Sequence, residues 1–503
     1  MTIGFEKITH AAEDAKLTRP NVIFVLADDL GIGDIEPTNP QCKIKTPNLN
    51  RLAQSGITFL DAHSPSAVCT PTRYGLLTGR YNWRSRLARG VLSGTSQHLI
   101  PPDRPTVGHL MKAAGYHTQM IGKWHLGWDW TYSNDASSGK RSIDFSKPII
   151  NGPDINGFDG YYAHCGSLDM PPYVWVDTGK ATAIPMREEG VTKQQDPYGW
   201  YRKGPISPDF EIDKVLPHLF SQSINHIIER THDKSRSTPF FLYLALPAPH
   251  TPIVPVPPFK GASGLNPYAD FVMQVDHHMG QLLDTLEKQG VTDNTLVVFS
   301  SDNGCSPEAN FQILKQHQHD PSAGFRGHKA DIYEGGHRVP LIASWPSTIR
   351  EGQTTNRLAC LTDFYSTLAE ITKQPEAKGG EDSHSWMPLF TGQGQYTRDD
   401  LVSHSIGGSF AIRSGEWKLC LSAGSGGWSA PREADAKKKN LPALQLYHLG
   451  KDPAETNNLQ SEQPEKVKEL LELLATQVKR GRSTPGPKKV NDRTIEYLPK
   501  SIQ

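Results

Sequence analysis

The sequence predicts an α/β protein: a large, mostly parallel sheet sandwiched by helices, with a smaller C-terminal α+β subdomain. Short apolar runs without alternation recur along the chain, helical patterns separate them, and the character of the sequence changes after about residue 385. Unbroken apolar runs of this length read as strands buried on both faces.

The first run, Asn21–Ala27 (NVIFVLA), ends in Asp28-Asp29. Thr46-Pro47, then Leu49, Leu52 and Ala53, then Gly56, predict a helix with a cap, a proline in its first turn and a glycine stop. A more mixed strand covers Tyr116 to Gly122 and ends in Lys123-Trp124-His125. The run from Phe240 to Leu246 ends in Pro247-Ala248-Pro249-His250. Val272, Val275, Met279, Leu282, Leu283 and Leu286 recur at helical spacing before the strand Leu296 to Phe299, which two serines and Asp302-Asn303 follow. In open parallel sheets ligands bind beyond the carboxyl ends of the strands. Every polar group just named lies at such an end, so one shared site is expected.

Farther on, Ser409 to Leu421 reads as two strands joined by a Ser-Gly turn. Lys437-Lys438-Lys439 reads as a solvated loop, Gln445 to Leu449 as another strand, and Pro464 to Lys479 as an amphipathic helix. The expected organisation is a catalytic domain over 18–385, a C-terminal subdomain over 386–485 and an extended tail over 486–503.

Lys+Arg and Asp+Glu both number 53, so no net field draws the chain to nucleic acid or an acidic membrane. An anion must be held by local charge. No apolar stretch approaches the roughly 20 residues of a membrane span. The first twenty residues lack the apolar core of a signal peptide. The expectation is an exported protein, periplasmic or extracellular, whose leader is absent from this sequence, with a cytoplasmic protein as the alternative. Six cysteines without a C-x-x-C pair read mostly as buried thiols.

Asp28, Asp29, Asp302 and Asn303 form an all-oxygen set. Three carboxylates crowded at strand ends repel one another unless a cation or proton intervenes. Such a set suits Ca²⁺ ahead of Mg²⁺, and the lack of histidine or cysteine within it counts against zinc. Helix caps and turns are the competing explanation. Cys69-Thr70-Pro71-Thr72-Arg73 places Pro71 in the first turn of a helix with Thr70 as cap, so Cys69 lies just outside the N-terminus, where an anion is favoured. Arg73, one turn further in, can hold an oxyanion and an oxygen at position 69. Lys123 and His125 stand two apart and would share one side of an extended segment. Lys329 precedes Glu334-Gly335-Gly336, whose glycines permit close backbone approach. His250, between prolines, is available as a proton donor.

Cys69-Thr-Pro-Thr-Arg73 resembles the C-x-P-[ST]-R signature of the type I sulfatases, of the alkaline phosphatase superfamily, and Gly79-Arg80 resembles its continuation. Gly122-Lys-Trp-His-Leu-Gly127 is similar to the family's second signature. Asp28-Asp29, Pro249-His-Thr-Pro252, Ser301-Asp-Asn-Gly304, Lys329 and the closing segment Leu446 to Leu459 resemble its other blocks, in the expected order. The resemblance implies an alkaline-phosphatase-like fold and an enzyme that hydrolyses sulfate esters. Cys69 would be oxidised by a maturation enzyme to formylglycine, which stands hydrated as a geminal diol. Asp28, Asp29, Asp302 and Asn303, with an oxygen of residue 69, resemble the calcium ligands. Arg73 would orient residue 69, and Lys123 and Lys329 would bind sulfate oxygens. His250, with Lys329, would protonate the leaving alcohol, and His125 would take a proton from the diol.

The pattern looks like that of bacterial carbohydrate sulfatases, with a sulfated saccharide as substrate. The 6-O-sulfate of galactose or N-acetylgalactosamine is the expected target, removed from a chain end. Trp128, Trp130, Trp175, Trp200 and Tyr201, with His164 and the segment from Asp196 to Lys203, are candidates to line a deep sugar pocket built by the 128–215 insertion, with burial in the core of a lobe as the equal alternative for the aromatic residues. Alternatives are a broad arylsulfatase, a phosphonate or phosphate monoester hydrolase, and a glycan-binding module with unmodified Cys69.

Overall fold

Val22, Phe24 and Leu26 point to one face of the first strand, Ile23, Val25 and Ala27 to the other, and all six are fully buried. That double burial is why the run is apolar throughout rather than alternating. Each large side chain so buried is worth about 1.5–3 kcal/mol. The computed structural model describes residues 19–134, 141–232, 238–374, 378–499 and 502. The stretch 1–18, on which the reading of the leader bears, lies outside the described residues.

The first strand is central in a ten-stranded sheet. Five neighbouring strands run parallel, in the order Thr295–Ser301, Asn21–Ala27, Phe240–Ala245, His117–Lys123, Gly160–His164. Four of these are the strands read from the sequence. Leu341–Ser344 joins antiparallel on one side and Val176–Asp177 on the other. Helices Cys69–Thr78, Val107–Ala113 and Phe364–Ile371 bury their apolar residues with one face of the sheet. Pro47–Gln54, Val215–His232 and Pro267–Lys288 do so with the opposite face. The last is capped by Asn266, whose side chain accepts from Ala269 N at 3.0 Å. Thr46 precedes its helix as expected but makes no side-chain cap, because its hydroxyl oxygen accepts from Glu36 N instead.

The C-terminal part is a four-stranded antiparallel sheet, Asp400–His404, Phe410–Ser414, Trp417–Cys420 and Gln445–His448. Gly415, at φ +55°, makes the tight turn between its second and third strands. Helix Pro464–Arg480 covers it through Leu470 and Leu474, which join Val402, Ile412, Leu419 and Leu446 in one core. The lysine run differs from expectation: Lys437 and Lys438 end a short helix, Glu433–Lys438, whose buried Ala436 anchors it while the lysines stay exposed. The final segment is extended yet docked, with Arg80 Nη2 donating to Val490 O at 2.7 Å and Nη1 paired with Asp492 at 3.1 Å. Among the described residues no helix is long and apolar enough to cross a membrane.

Candidate active site

The register of the central sheet decides where the polar groups meet. Ala27 pairs with Ser301, and Ala245 with Gly122. Asp28-Asp29, Asp302-Asn303 and Lys123 therefore leave neighbouring strands at one level, on the carboxyl edge. Asp28 N donates to Ala248 O at 2.9 Å, which draws the His250 loop to the same edge. Gly304 and Gly335 bring the Lys329 loop in: a Cβ on Gly304 would lie 1.9 Å from Gly335 O. Only glycine allows backbones so close.

Cys69 is the first residue of its helix, and Val68 is the cap, so the helix starts earlier than Thr70-Pro71 suggests. Thr70 does not cap; its hydroxyl donates to His125 O at 3.0 Å and accepts from Leu92 N at 3.2 Å. The helix end has no side-chain cap, so its amides and dipole remain available to an anion. Burial pushes the Cys69 thiol up to about 12, against the pull of Lys123 and Lys329. A thiol that stays neutral is a poor nucleophile.

Arg73 is fully buried and fully engaged. Nε and Nη2 donate to Asp302 Oδ2 at 3.0 and 2.7 Å, and Nη1 donates to Lys123 O at 2.9 Å. The sequence placed it against residue 69. Its long side chain instead reaches the strand ends, where a buried carboxylate matches the planar fork. Lys123 Nζ donates to Asp28 Oδ2 at 2.5 Å, and Lys329 Nζ lies 2.6 Å from Asp29 Oδ1. Asn303 Nδ2 donates to the same Asp29 oxygen at 2.7 Å, and Asp29 N donates to Asp302 Oδ1 at 3.3 Å.

The group tests well as a cation site. Asp28 Oδ1 and Asn303 Oδ1 are buried and have no partner among the described residues. Ligand atoms of Asp28, Asp29, Cys69 and His250 all lie within 4.8 Å of one another. Burial would raise the Asp28 carboxyl, but Lys123, backed by His250, Arg73 and Lys329, holds it well below the usual range. Burial and the Asp28 charge push Asp302 up to about 6 despite Arg73 and Lys123. Each of the three carboxylates already faces a cation, so the room for an ion is marked by the open Asp28 Oδ1 and Asn303 Oδ1, and oxygen donors favour a hard ion. The placement of His250 among the carboxylates was not legible in its loop sequence.

His250 Nδ1 donates to Thr251 O at 2.5 Å, so Nε2, 3.7 Å from Asp29 Oδ2, is the nitrogen that faces the site. His125 follows the end of its strand in a left-handed conformation, φ +52°. The two-residue alternation with Lys123 therefore does not carry through. Its Nε2 donates to Leu92 O at 2.7 Å, leaving Nδ1 buried without a partner among the described residues. Burial, with Lys123 and Arg73, keeps this ring neutral, well below the ordinary histidine range.

A cavity of about 230 Å³ opens over Cys69, His125, His250 and Lys329. Of the five aromatic candidates only Trp200 lines it. Trp128, Trp130, Trp175 and Tyr201 are at most 6% exposed and pack in the interior; Trp175 stacks on Phe210 at 4.5 Å. His164 is buried edge-on against the same two rings and does not line the cavity. The 128–215 insertion supplies Ser167, Asp169 and Arg202 instead, and Trp428 enters from the C-terminal part. Arg202 belongs to the segment from Asp196 to Lys203 expected to line the pocket; sequence reasoning missed Ser167, Asp169 and Trp428, since single residues in irregular segments carry no periodic signal. It also missed the support behind Asp29: Tyr268 Oη lies 3.2 Å from Asp29 O and 2.5 Å from Asp34 Oδ2, and His319 pairs with Asp34 at 2.8 Å.

Comparison with known proteins agrees with this constellation. The family model named Sulfatase matches residues 20–374. An N-acetylgalactosamine-6-O-sulfatase of Bacteroides thetaiotaomicron is 31% identical over 91% of this chain and 92% of its own length. Human arylsulfatase A is 31% identical over 88% of this chain and 83% of its own. A solved structure from work on glycosaminoglycan metabolism by Bacteroides thetaiotaomicron superposes with a TM-score of 0.77 at 30% identity, covering 91% of this chain and 99% of that one. The motif residues, gathered at one sheet edge and matched along most of the chain, make this protein a member of the sulfatase family and a sulfuric ester hydrolase.

Proposed function

We propose that the enzyme removes a sulfate ester from a carbohydrate, the 6-O-sulfate of galactose or N-acetylgalactosamine, using formylglycine at residue 69 and a calcium ion. The observation that carries this is the gathering, in one buried pocket, of a helix-start Cys69, oxygen donors with unpartnered atoms, and a facing set of cations. Asp28, Asp29, Asp302 and Asn303 would hold the ion, with an oxygen of residue 69. When present, calcium and the hydrated aldehyde supply Lewis-acid polarisation and a hard oxygen nucleophile.

The remaining chemistry belongs to the chain's own side chains. Arg73 holds Asp302 in place. Lys123 and Lys329 bind the spectator oxygens of sulfate and offset charge developing there. His250 delivers a proton from Nε2 to the leaving alcohol, its Nδ1 proton being fixed on Thr251 O. His125 accepts a proton at Nδ1, the nitrogen left open by the bond to Leu92 O. A maturation enzyme must first oxidise Cys69. A sulfated glycan does not cross a membrane unaided, so an exported enzyme suits such a substrate.

The sugar reading draws on the Bacteroides relative's name, while equal identity to arylsulfatase A favours a broad arylsulfatase as the second reading. A panel of mono-sulfated galactose, glucosamine and galactosamine sugars beside nitrophenyl sulfate separates them, together with mass analysis of the peptide bearing residue 69. A sugar alkoxide needs an acid and a nitrophenolate hardly does. His250→Ala should therefore cut turnover of the sugar sulfate by about 10²–10⁴-fold and that of nitrophenyl sulfate far less. Equal rates on all sugars with aryl sulfate fastest would overturn the carbohydrate reading.

A further inference from the structure

The cavity over Cys69 contains polar groups that the hydrolysis itself leaves unused. Asp169 is 5% exposed, and its Oδ1 is buried with no hydrogen-bond partner among the described residues. Ser167 Oγ beside it is in the same condition. The other Asp169 oxygen accepts a short hydrogen bond from Arg202 Nη1. Arg202 is well anchored: its N and Nη1 donate to Asp169 O at 3.2 and 3.1 Å, and its own carbonyl accepts from Tyr173 Oη at 2.6 Å. Its side chain nevertheless remains about half exposed. A buried carboxylate oxygen left open costs free energy unless something pairs with it. Asp169 lines the space over the reacting centre, so a substrate group is the natural partner.

On the C-terminal side stands Trp428, 37% exposed, its ring 6.0 Å from Lys329 Nζ. Cavity size sets a further limit, since about 230 Å³ admits one pyranose ring rather than two. A carboxylate paired with a guanidinium offers an acceptor and a donor side by side, the pattern that adjacent hydroxyls of a sugar match. An exposed indole suits the apolar face of the ring.

We propose that Asp169 and Arg202 bind two neighbouring hydroxyls of the sugar that carries the sulfate, while Trp428 covers the face of its ring. These residues are the determinants that select a sugar over an aryl group, a statement that rests on the carbohydrate reading above. A site built to hydrogen-bond a hydroxyl discriminates strongly against a ligand lacking it.

The test uses the matured full-length enzyme with N-acetylgalactosamine 6-sulfate and nitrophenyl sulfate. Asp169→Asn keeps size and shape, so folding is retained. It should lower the ratio of kcat/KM for sugar over aryl sulfate about 100-fold, and Arg202→Ala should lower it in the same direction. Trp428→Ala should act mainly on KM for the sugar, raising it about tenfold. Equal losses on both substrates would mean that Asp169 merely supports the fold, and an unchanged ratio would also overturn the proposal. A parent enzyme that turns over aryl sulfate and no sugar sulfate would instead defeat the carbohydrate reading, and this inference with it.

Discussion

Among the described residues, two of the buried clusters of charge are built from the same residue types and are opposite in character. One is the site at the sheet edge. The other joins the main sheet to the C-terminal part through Asp61, His63, Glu334, His337, Arg338, Arg413, Lys418 and Glu455. There, Glu334 accepts from Arg338 Nε and Nη2 at 3.1 and 2.9 Å and from Lys418 at 3.0 Å. Asp61 takes Arg413 at 2.7 Å, Arg338 at 2.8 Å and His63 at 2.8 Å. His63, Glu334 and His337 also stand close enough to ligate a metal. Cations already face all three carboxylates, Glu455 Oε1 lying 2.9 Å from Lys418 Nζ, so that cluster is closed. The sheet-edge cluster leaves Asp28 Oδ1, Asn303 Oδ1 and His125 Nδ1 open. Polar groups buried in pairs hold a fold together; the open ones at the sheet edge gather at the Cys69 pocket, which fits them for a ligand.

The largest effect expected of this contrast is at residue 69. Cys69→Ala should reduce turnover by roughly 10⁴-fold or more with little change in thermal unfolding, because it removes the nucleophile and almost no packing. Substantial residual activity would break the formylglycine assignment, and Cys69→Ser should be equally inactive unless the maturation enzyme accepts serine.

Next comes the cation. Chelation should suppress turnover and calcium restore it, while Asp302→Ala should stay inactive in excess calcium. Calcium at 100 times its dissociation constant should add about 2.7 kcal/mol to the stability of the parent and little to that of the variant. Elemental analysis finding two zinc ions would contradict this and favour a phosphatase.

In the closed cluster the loss should appear as stability. Glu334→Ala removes the carboxylate that Arg338 and Lys418 share, leaving them only Asp61 and Glu455, and should cost about 3–5 kcal/mol in denaturant unfolding. A cost below about 1 kcal/mol would mean that water or relaxation closes the gap, and the contrast between the clusters would weaken.

The smallest effect is the pH response of the same cluster. Burial holds His63 below the histidine range against Glu334 and Asp61, and burial with Lys418 holds His337 further down. The unfolded chain therefore takes up protons there first, so stability should fall as pH drops below about 6.5. Glu334 is held well below its usual range, because Lys418, His63 and Arg338 outweigh burial. Asp61 is held down similarly by Arg338, His63 and Arg413. Their contribution is complete above about pH 4.5 and fades as pH falls further. Glu455, raised by burial, opposes this in part. Unfolding midpoints that stay level from pH 7 to 4 would show the cluster to be electrostatically inert.

Much of this was legible in the chain. The runs at Asn21, Phe240 and Leu296 announced buried strands because two-sided burial leaves no room for polar residues, the Tyr116 strand is more mixed because His117 and Gln119 are only partly buried, and the register then carried Asp28, Lys123 and Asp302 to one edge. Arg73 was identified as a site residue, but its bonds to Asp302 were not legible, since spacing along a helix does not tell which carboxylate a long side chain will find. For Trp128, Trp130, Trp175 and Tyr201 the sequence left a sugar pocket and a lobe core equally open, and the structure places them in the interior. Composition cannot tell an aromatic residue that fills a lobe from one that lines its mouth. Asp169 and Trp428 left no trace, because their meaning arises only when segments far apart in the chain face each other.

Asp331, two residues beyond Lys329, grips both loops of the mouth. One of its oxygens accepts from Trp428 N and Ser429 N at 2.7 and 3.0 Å, the other from His328 N at 3.0 Å. A Cβ on Gly427 would lie 2.3 Å from Ala330 O, so the loops touch backbone to backbone. The rim that meets an arriving ligand and the ammonium that reaches the reacting group are thus one mechanical part. Affinity and turnover cannot be tuned separately from this side of the mouth: a change that slackens Asp331 displaces Lys329 and Trp428 in a single motion, and its kinetic signature is a joint shift of kcat and KM.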